Sequence, residues 1–265
     1  MKSPIIHAWS LGLLFAIVSI PGGEAQAAGV LLGTAGSFAV LSGAGITNTG
    51  PSVITGDTGT FPNTAMTGFG SVVITGTHHG GDAVAQNAKL DLITAYNDAA
   101  GRSAFVEYAG GFDLVGLTLI PGVYSDSSSL FLTGTVTLDA QGYPNAVWII
   151  QTGSTLITGS GSRVSLLNGA RACNVFWQVG SSATLGTDTD FAGTILALTS
   201  ITLNTGASVN GRVLARNGAV TMDTNVITLS GCAIPEPGGS LFLLSGLAAL
   251  TGRRRGKAPS FSPAG

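Results

Sequence analysis

Between Thr137 and Thr221 a threonine followed by a large aliphatic residue returns at regular intervals: Thr137-Leu138, Thr155-Leu156, Thr184-Leu185, Thr202-Leu203 and Thr221-Met222. Three of the four steps are equal to within one position, and the longer step from Thr155 to Thr184 carries an insertion, placed at Arg163 to Asn174. Other positions keep the same period, 18 apart: Trp177, Ile195 and Val213; Gly193 and Gly211; Phe191, Val209 and Ile227. A period of 18 is too short for helical repeats and fits one coil of a β-solenoid, with coils stacked about 4.8 Å apart. Adjacent residues of a strand face opposite ways, so the Leu column is expected in the core and the Thr column outside, as a ladder of hydroxyls and methyls.

The first half is looser. From Gly33 to Gly76 short β-prone pieces such as Phe38 to Leu41 and Val53 to Thr55 alternate with Gly and Asn. The texture then changes. Asp82 to Gly101 lacks β-branched runs and spaces Val84, Ala88, Leu92, Tyr96 and Ala99 by three or four residues, which predicts an amphipathic helix over about 82–101, capped by Asp82 and Gly101. At about 27 Å it would be nearly as tall as six stacked coils and is expected to lie along the solenoid. Leu119 to Tyr124 predicts a short strand that returns the chain to the stack.

Composition narrows the class. Gly29 to Cys232 carries six basic residues against eleven acidic ones, a net charge of −5, which offers no footprint for nucleic acid. The ends predict export. Lys2, an apolar run from Leu11 to Ile20 and Ala25-Gln26-Ala27 have the order of a secretory signal peptide, residues 1–27, leaving a single domain over 28–232. The tail has Pro235, Glu236 and Pro237, then an apolar run from Leu241 to Leu250, then Arg253, Arg254 and Arg255. It resembles the PEP-CTERM sorting signal of Gram-negative bacteria. That resemblance implies a signal over 233–257 with a residual tail over 258–265, exosortase-type machinery as partner, a transient membrane association through a short C-terminal helix, and a secreted or cell-envelope location after processing. In an oxidising compartment Cys173 and Cys232, the two cysteines of the chain, are expected to pair, although three coils of intervening sequence would separate them by about 14 Å along a stack built in chain order.

Several stretches match one family: Leu32 to Ala35 with Phe38 to Leu41, Thr67 to Phe69, Ala95 to Arg102, Pro121 to Tyr124, Asn174 to Gly180, Phe191 to Ala197 and Asn210 to Ala215. Along nearly all of Val30 to Leu229 the chain resembles the ice-binding-like proteins of bacteria, fungi and algae. The resemblance implies an all-β solenoid, a right-handed, discontinuous, three-faced β-helix with one long α-helix packed alongside, whose coils do not follow chain order; that would relieve the cysteine difficulty. It also implies an ice crystal surface as partner for some members, met through a flat face bearing a T-A/G-x-T/N motif. The corresponding positions here are Thr158 to Gly161, Thr187 to Asp190 and Thr205 to Ser208, of which only the Thr205 copy comes near the pattern. Asp188 and Asp190 depart from it, and Thr152 to Thr155 is a better literal match on the strand of the Thr-Leu column.

The candidate ice-binding residues are therefore Thr137, Thr155, Thr184, Thr202 and Thr221 in one column, and Thr158, Thr187, Thr205 and Ser208 in the other. The alternative is a non-enzymatic surface or biofilm-matrix protein, with an exopolysaccharide matrix as partner; Thr columns also serve as plain solvated wall. Enzymatic chemistry is not expected. The close acid pair Asp188 and Asp190 has no nearby His or Lys, and His78 and His79 point to opposite sides of a strand with no Cys or carboxylate at ligand spacing except Asp82. No cofactor and no metal are expected.

Overall fold

The computed structural model describes residues 28–231. Residues 1–27, Cys232, the Pro235 to Pro237 motif, Arg253 to Arg255 and the 258–265 tail lie outside the described residues. The described chain is a β-solenoid of parallel strands with one long α-helix, Ala83–Ala100, along its side. One face is a seven-stranded sheet; the other two faces share a fifteen-stranded sheet that turns a corner.

Strand order departs from chain order at one place. Gly45–Thr49 pairs with Ala219–Asp223 on one side and Met66–Thr67 on the other, and Val226–Thr228 sits between Ser208–Ala215 and Val53–Thr55. The N-terminal coils thus continue the stack beyond the last C-terminal coil. Coils in the regular part keep the period of the sequence, pairing Ala183 with Ile201, or exceed it by a single position, pairing Ile201 with Val220. The earlier step pairs Leu156 with Ala183, and the one before it Leu130 with Leu156. The insertion therefore lengthens its coil by less than the spacing of Thr155 and Thr184 implies: Thr184 pairs with Ile157, so Thr155 falls two positions out of register with it.

Gly193 and Gly211 keep the period because each bends a long strand, Asp190–Ala197 and Ser208–Ala215, from one face onto the next. Both have positive φ, and a Cβ on Gly211 would lie 1.9 Å from the Gly193 carbonyl oxygen. The segment expected as one strand from Leu119 is two, Thr118–Leu119 and Gly122–Asp126, on either side of such a corner.

The interior is apolar, with Trp148, Trp177 and Phe191 fully buried; the two indole N–H groups donate to the carbonyls of Leu119 and Ala192. A second core, including Phe38, Leu41, Leu92, Phe176, Leu196 and Leu214, joins the helix to one face of the sheet. Asp82 caps the helix by accepting the Ala85 N–H at 2.8 Å, which with the His79 ring holds its carboxyl below the usual range. Gly101 ends it, donating its N–H to Asn97 and Asp98. The buried stripe is Ala85, Ala88, Lys89, Leu92, Ala95, Tyr96 and Ala99, whereas Val84, expected inside, is about half exposed.

Lys89 is the exception within that stripe. The residue is 6 % exposed, and its ammonium donates to the carbonyls of Ala215 (2.7 Å) and Arg216, with no carboxylate among the described residues paired to it. Burial, aided by the nearby Arg216 guanidinium, pulls its pKa down to about 8.

The expected membrane association is not met: among the described residues no helix is long and apolar enough to cross a membrane. The C-terminal segment on which that expectation rested lies outside them.

Candidate adsorption face

The strands of the seven-stranded face are short, and in Leu130–Leu132, Leu156–Thr158, Ala183–Leu185 and Ile201–Leu203 the middle residue is outward between two inward ones. The outward column reads Phe131, Ile157, Thr184, Thr202, Thr221, Thr47 and Thr67, set by the register of consecutive strands. Five successive threonines therefore stand about 4.8 Å apart on one straight row. Thr47 and Thr67 touch through their hydroxyls at 3.3 Å. Thr184, Thr202 and Thr221 have no hydrogen-bond partner for their hydroxyls within the described protein, which leaves them to solvent. No residue of the column is charged.

Of the nine expected residues, three share this row: Thr184, Thr202 and Thr221. Thr137 belongs to Thr135–Asp139 in the other sheet, paired with Thr118 and Ser165. Thr155 lies beside the row and donates to Ser129 at 2.8 Å, while Ile157 occupies the place expected for it. The second expected column is a corner. Thr158 is buried and bonded to Thr189 at 2.9 Å, so it cannot meet a surface. Thr187 is half-buried, and Thr205 is exposed with its hydroxyl bonded to Asp223 at 2.5 Å. Ser208 lies past the corner on another face, bonded to Asp190 at 3.3 Å. Asp190 likewise belongs to that other face and not to the motif column. Sequence reasoning missed Thr47 and Thr67, whose only signal is the Ile-Thr and Met-Thr alternation in coils that chain order places elsewhere.

The corner next to the row is left-handed. Gly50, Gly161, Asp188, Gly206 and Thr224 all have φ between 55° and 76°. Asp188 and Thr224 hold this conformation without the freedom of glycine. Elsewhere His78 faces Thr58 (2.9 Å) and His79 faces Asp82 (2.8 Å). Among the described residues no group of three or more His, Cys, Asp or Glu could hold a metal ion. Cys173 is disulfide-bonded.

A family model described as ice-binding-like matches residues 40–228. The chain belongs to the ice-binding-like family. It is 52% identical over 238 residues to an ice-binding protein of Nostoc sp. (strain HG1), covering 86% of this chain and 87% of that protein. An ice-binding protein of Colwellia sp. is 39% identical over 86% of this chain and 95% of its own length. Among solved structures, an ice-binding protein from an Antarctic biological consortium superposes with a TM-score of 0.75 at 50% identity, over 79% of this chain and 95% of that one. One from the ascomycete Antarctomyces psychrotrophicus gives 0.75 at 42%, over 77% and 100%. This is a family of non-enzymatic proteins. Relatives in Leucosporidium and Typhula show that membership does not by itself indicate a Gram-negative bacterium.

Proposed function

We propose that the protein adsorbs to ice through the seven-stranded face. The observation that carries this reading is the uninterrupted row Thr184, Thr202, Thr221, Thr47 and Thr67, in register on rigid parallel strands, uncharged, and with three hydroxyls free of partners within the described protein. A hydroxyl repeat of about 4.8 Å lies close to an oxygen repeat of hexagonal ice, so each threonine can hold one ordered water while its methyl keeps neighbouring water cage-like. Single contacts are weak, and a stiff flat row makes them simultaneously. Relatives that share the fold over most of their length are named for ice binding, which supports the same reading here.

Ice affinity capture and thermal hysteresis of the purified protein test it: partition into a growing ice front is expected, and exclusion from ice would leave a purely structural surface protein. The ends complete the proposal. Residues 1–27 direct export, 28–232 form the domain, and the 233–257 segment is removed by an exosortase-type enzyme in a Gram-negative envelope. Mass spectrometry of the native exported protein is expected to show loss of Arg253 to Arg255, and a mature species retaining them contradicts the processing.

A further inference from the structure

The two ends of the solenoid are finished differently. At one end the last coil carries Met66–Thr67, Val73–Thr75 and His78–Gly80, and among the described residues each of these strands pairs on one side only. From Thr58 to Gly81 the chain has no Asp, Glu, Lys or Arg, and none of the three edge strands contains a proline. Exposed edges are normally blunted by such residues, and terminal repeats by a polar outer face. The centre of this end is apolar: Met66, Phe69, Val72 and Ile74 pack against the core and stay half-buried. One coil further in, Ile46 and Ile54, the register partners of Met66 and Ile74, are fully buried. The opposite end is closed. Its edge strand Val106–Tyr108 presents Glu107 outward, and the segment after it folds over the coil, with the Asp126 carboxylate accepting the Gly111 (3.3 Å) and Phe112 (3.0 Å) N–H groups and the Phe112 ring stacked on Tyr108 at 4.1 Å.

We propose that the uncharged end is a self-association surface, on which two copies of the chain meet end to end about a two-fold axis. Three free edges around one closed coil are matched together only by another closed coil of the same cross-section; a single strand of an unrelated partner would fill one of them. In the two-fold pair the facing edges run antiparallel, and the Met66, Phe69, Val72 and Ile74 side chains of each copy cover those of the other. Joining the two unlike ends would instead build an open filament, which Glu107 and the folded-over Phe112 segment oppose. The last coil is about 20 residues round, Val53 pairing with Val73, or about 66 Å of strand. With its outward side chains such an end buries on the order of 500 Å² per copy and about 1,000 Å² in all, the lower limit of a specific complex, so the dimer is weak and concentration-dependent.

Sedimentation velocity of the purified exported protein over a dilution series tests it. The mass is expected to rise with concentration from one copy to two and to stop there. Gly70 and Gly80 lie in the last coil outside the left-handed region; a Cβ on Gly70 meets nothing within 4 Å, and one on Gly80 meets only the Thr64 carbonyl oxygen, at 3.5 Å. Gly70→Glu and Gly80→Glu therefore place a carboxylate on this end without disturbing the coil, and each is expected to stay monomeric at every concentration with the parent's circular dichroism and melting curve. Ser103→Glu, on the exposed coil of the opposite end, is expected to dimerise like the parent. A parent that is monomeric up to about 1 mM, a concentration at which even weak complexes are populated, overturns the inference. So does a mass that keeps growing beyond two copies, which is the head-to-tail filament, and so does dimerisation lost in Ser103→Glu but kept in folded Gly70→Glu and Gly80→Glu.

Discussion

Lys89 ties the helix to the solenoid and gives a stability signal at alkaline pH. Its ammonium lies under the helix against the Ala215 and Arg216 carbonyls, and burial lowers its pKa from 10.5 to about 8. Below pH 8 the lysine is charged in both the folded and unfolded states, and the folded state bears the cost of desolvation. Between 8 and 10.5 the unfolded chain binds more protons than the folded one, so stability rises with pH. At about 1.4 kcal/mol per unit the full difference is about 3 kcal/mol; the two carbonyl bonds favour the ammonium and work against it, so about 2 kcal/mol is expected by pH 10. Burial pushes Tyr124 up to about 12 and raises Tyr108, which opposes the trend only above about pH 10, so the useful window is 8 to 10. For a domain of this size the rise corresponds to about 4 to 8 °C in Tm. Thermal or urea unfolding at half-unit pH steps reads it directly, and Lys89→Met is expected to flatten the slope. A variant that keeps the parent's slope would refute the assignment of this rise to Lys89.

Three further outcomes follow from the geometry. Asp188→Gly relieves a left-handed residue in a column otherwise held largely by glycine and is expected to stabilise by up to about 1 kcal/mol, seen as a Tm rise; a fall in Tm would show an unseen role for the carboxylate. Gly211→Ala drives a methyl into the Gly193 carbonyl at a strand corner and is expected to cost several kcal/mol, and wild-type-like unfolding would contradict the corner's tight packing. Cys173 is expected to pair with Cys232 and to resist alkylation until reduced, with loss of about 3 to 4 kcal/mol on reduction; a freely alkylated Cys173 in the unreduced protein would contradict it.

The regular period revealed the solenoid because each coil must place the same residue type at the same point of a repeating cross-section, and Gly193 and Gly211 were legible for the same reason. The helix was legible from its stripe and its Asp82 cap. Which face a threonine occupies was not. A Thr-Leu pair says only that the leucine is inward, and all three faces of the solenoid satisfy that, so Thr137 and Thr155 look like Thr184 until strand pairing is known. Thr47 and Thr67 were hidden because the N-terminal coils are added beyond Ala219–Asp223, a placement fixed by contacts between opposite ends of the domain's sequence. The burial of Lys89 is invisible in the sequence for a related reason: its acceptors, the Ala215 and Arg216 carbonyls, belong to a distant coil.

Ice adsorption by the seven-stranded face depends above all on the row of five threonines, and a pair of bulky substitutions tests it most directly. Thr202 stands within the row, whereas Thr205 lies at the corner with its hydroxyl already engaged by Asp223. A tyrosine at 202 would hold a flat surface about 4 Å off its neighbours, and a gap of only about 1 Å already forfeits up to about half of the contact attraction. Both positions leave the side chain outside the core, so both variants are expected to remain folded. Thermal hysteresis of folded Thr202→Tyr is predicted to fall to a small fraction of the parent value, with Thr205→Tyr retaining most of it. Full activity in Thr202→Tyr, or loss confined to Thr205→Tyr, would contradict the assignment of the seven-stranded face as the ice-adsorbing surface.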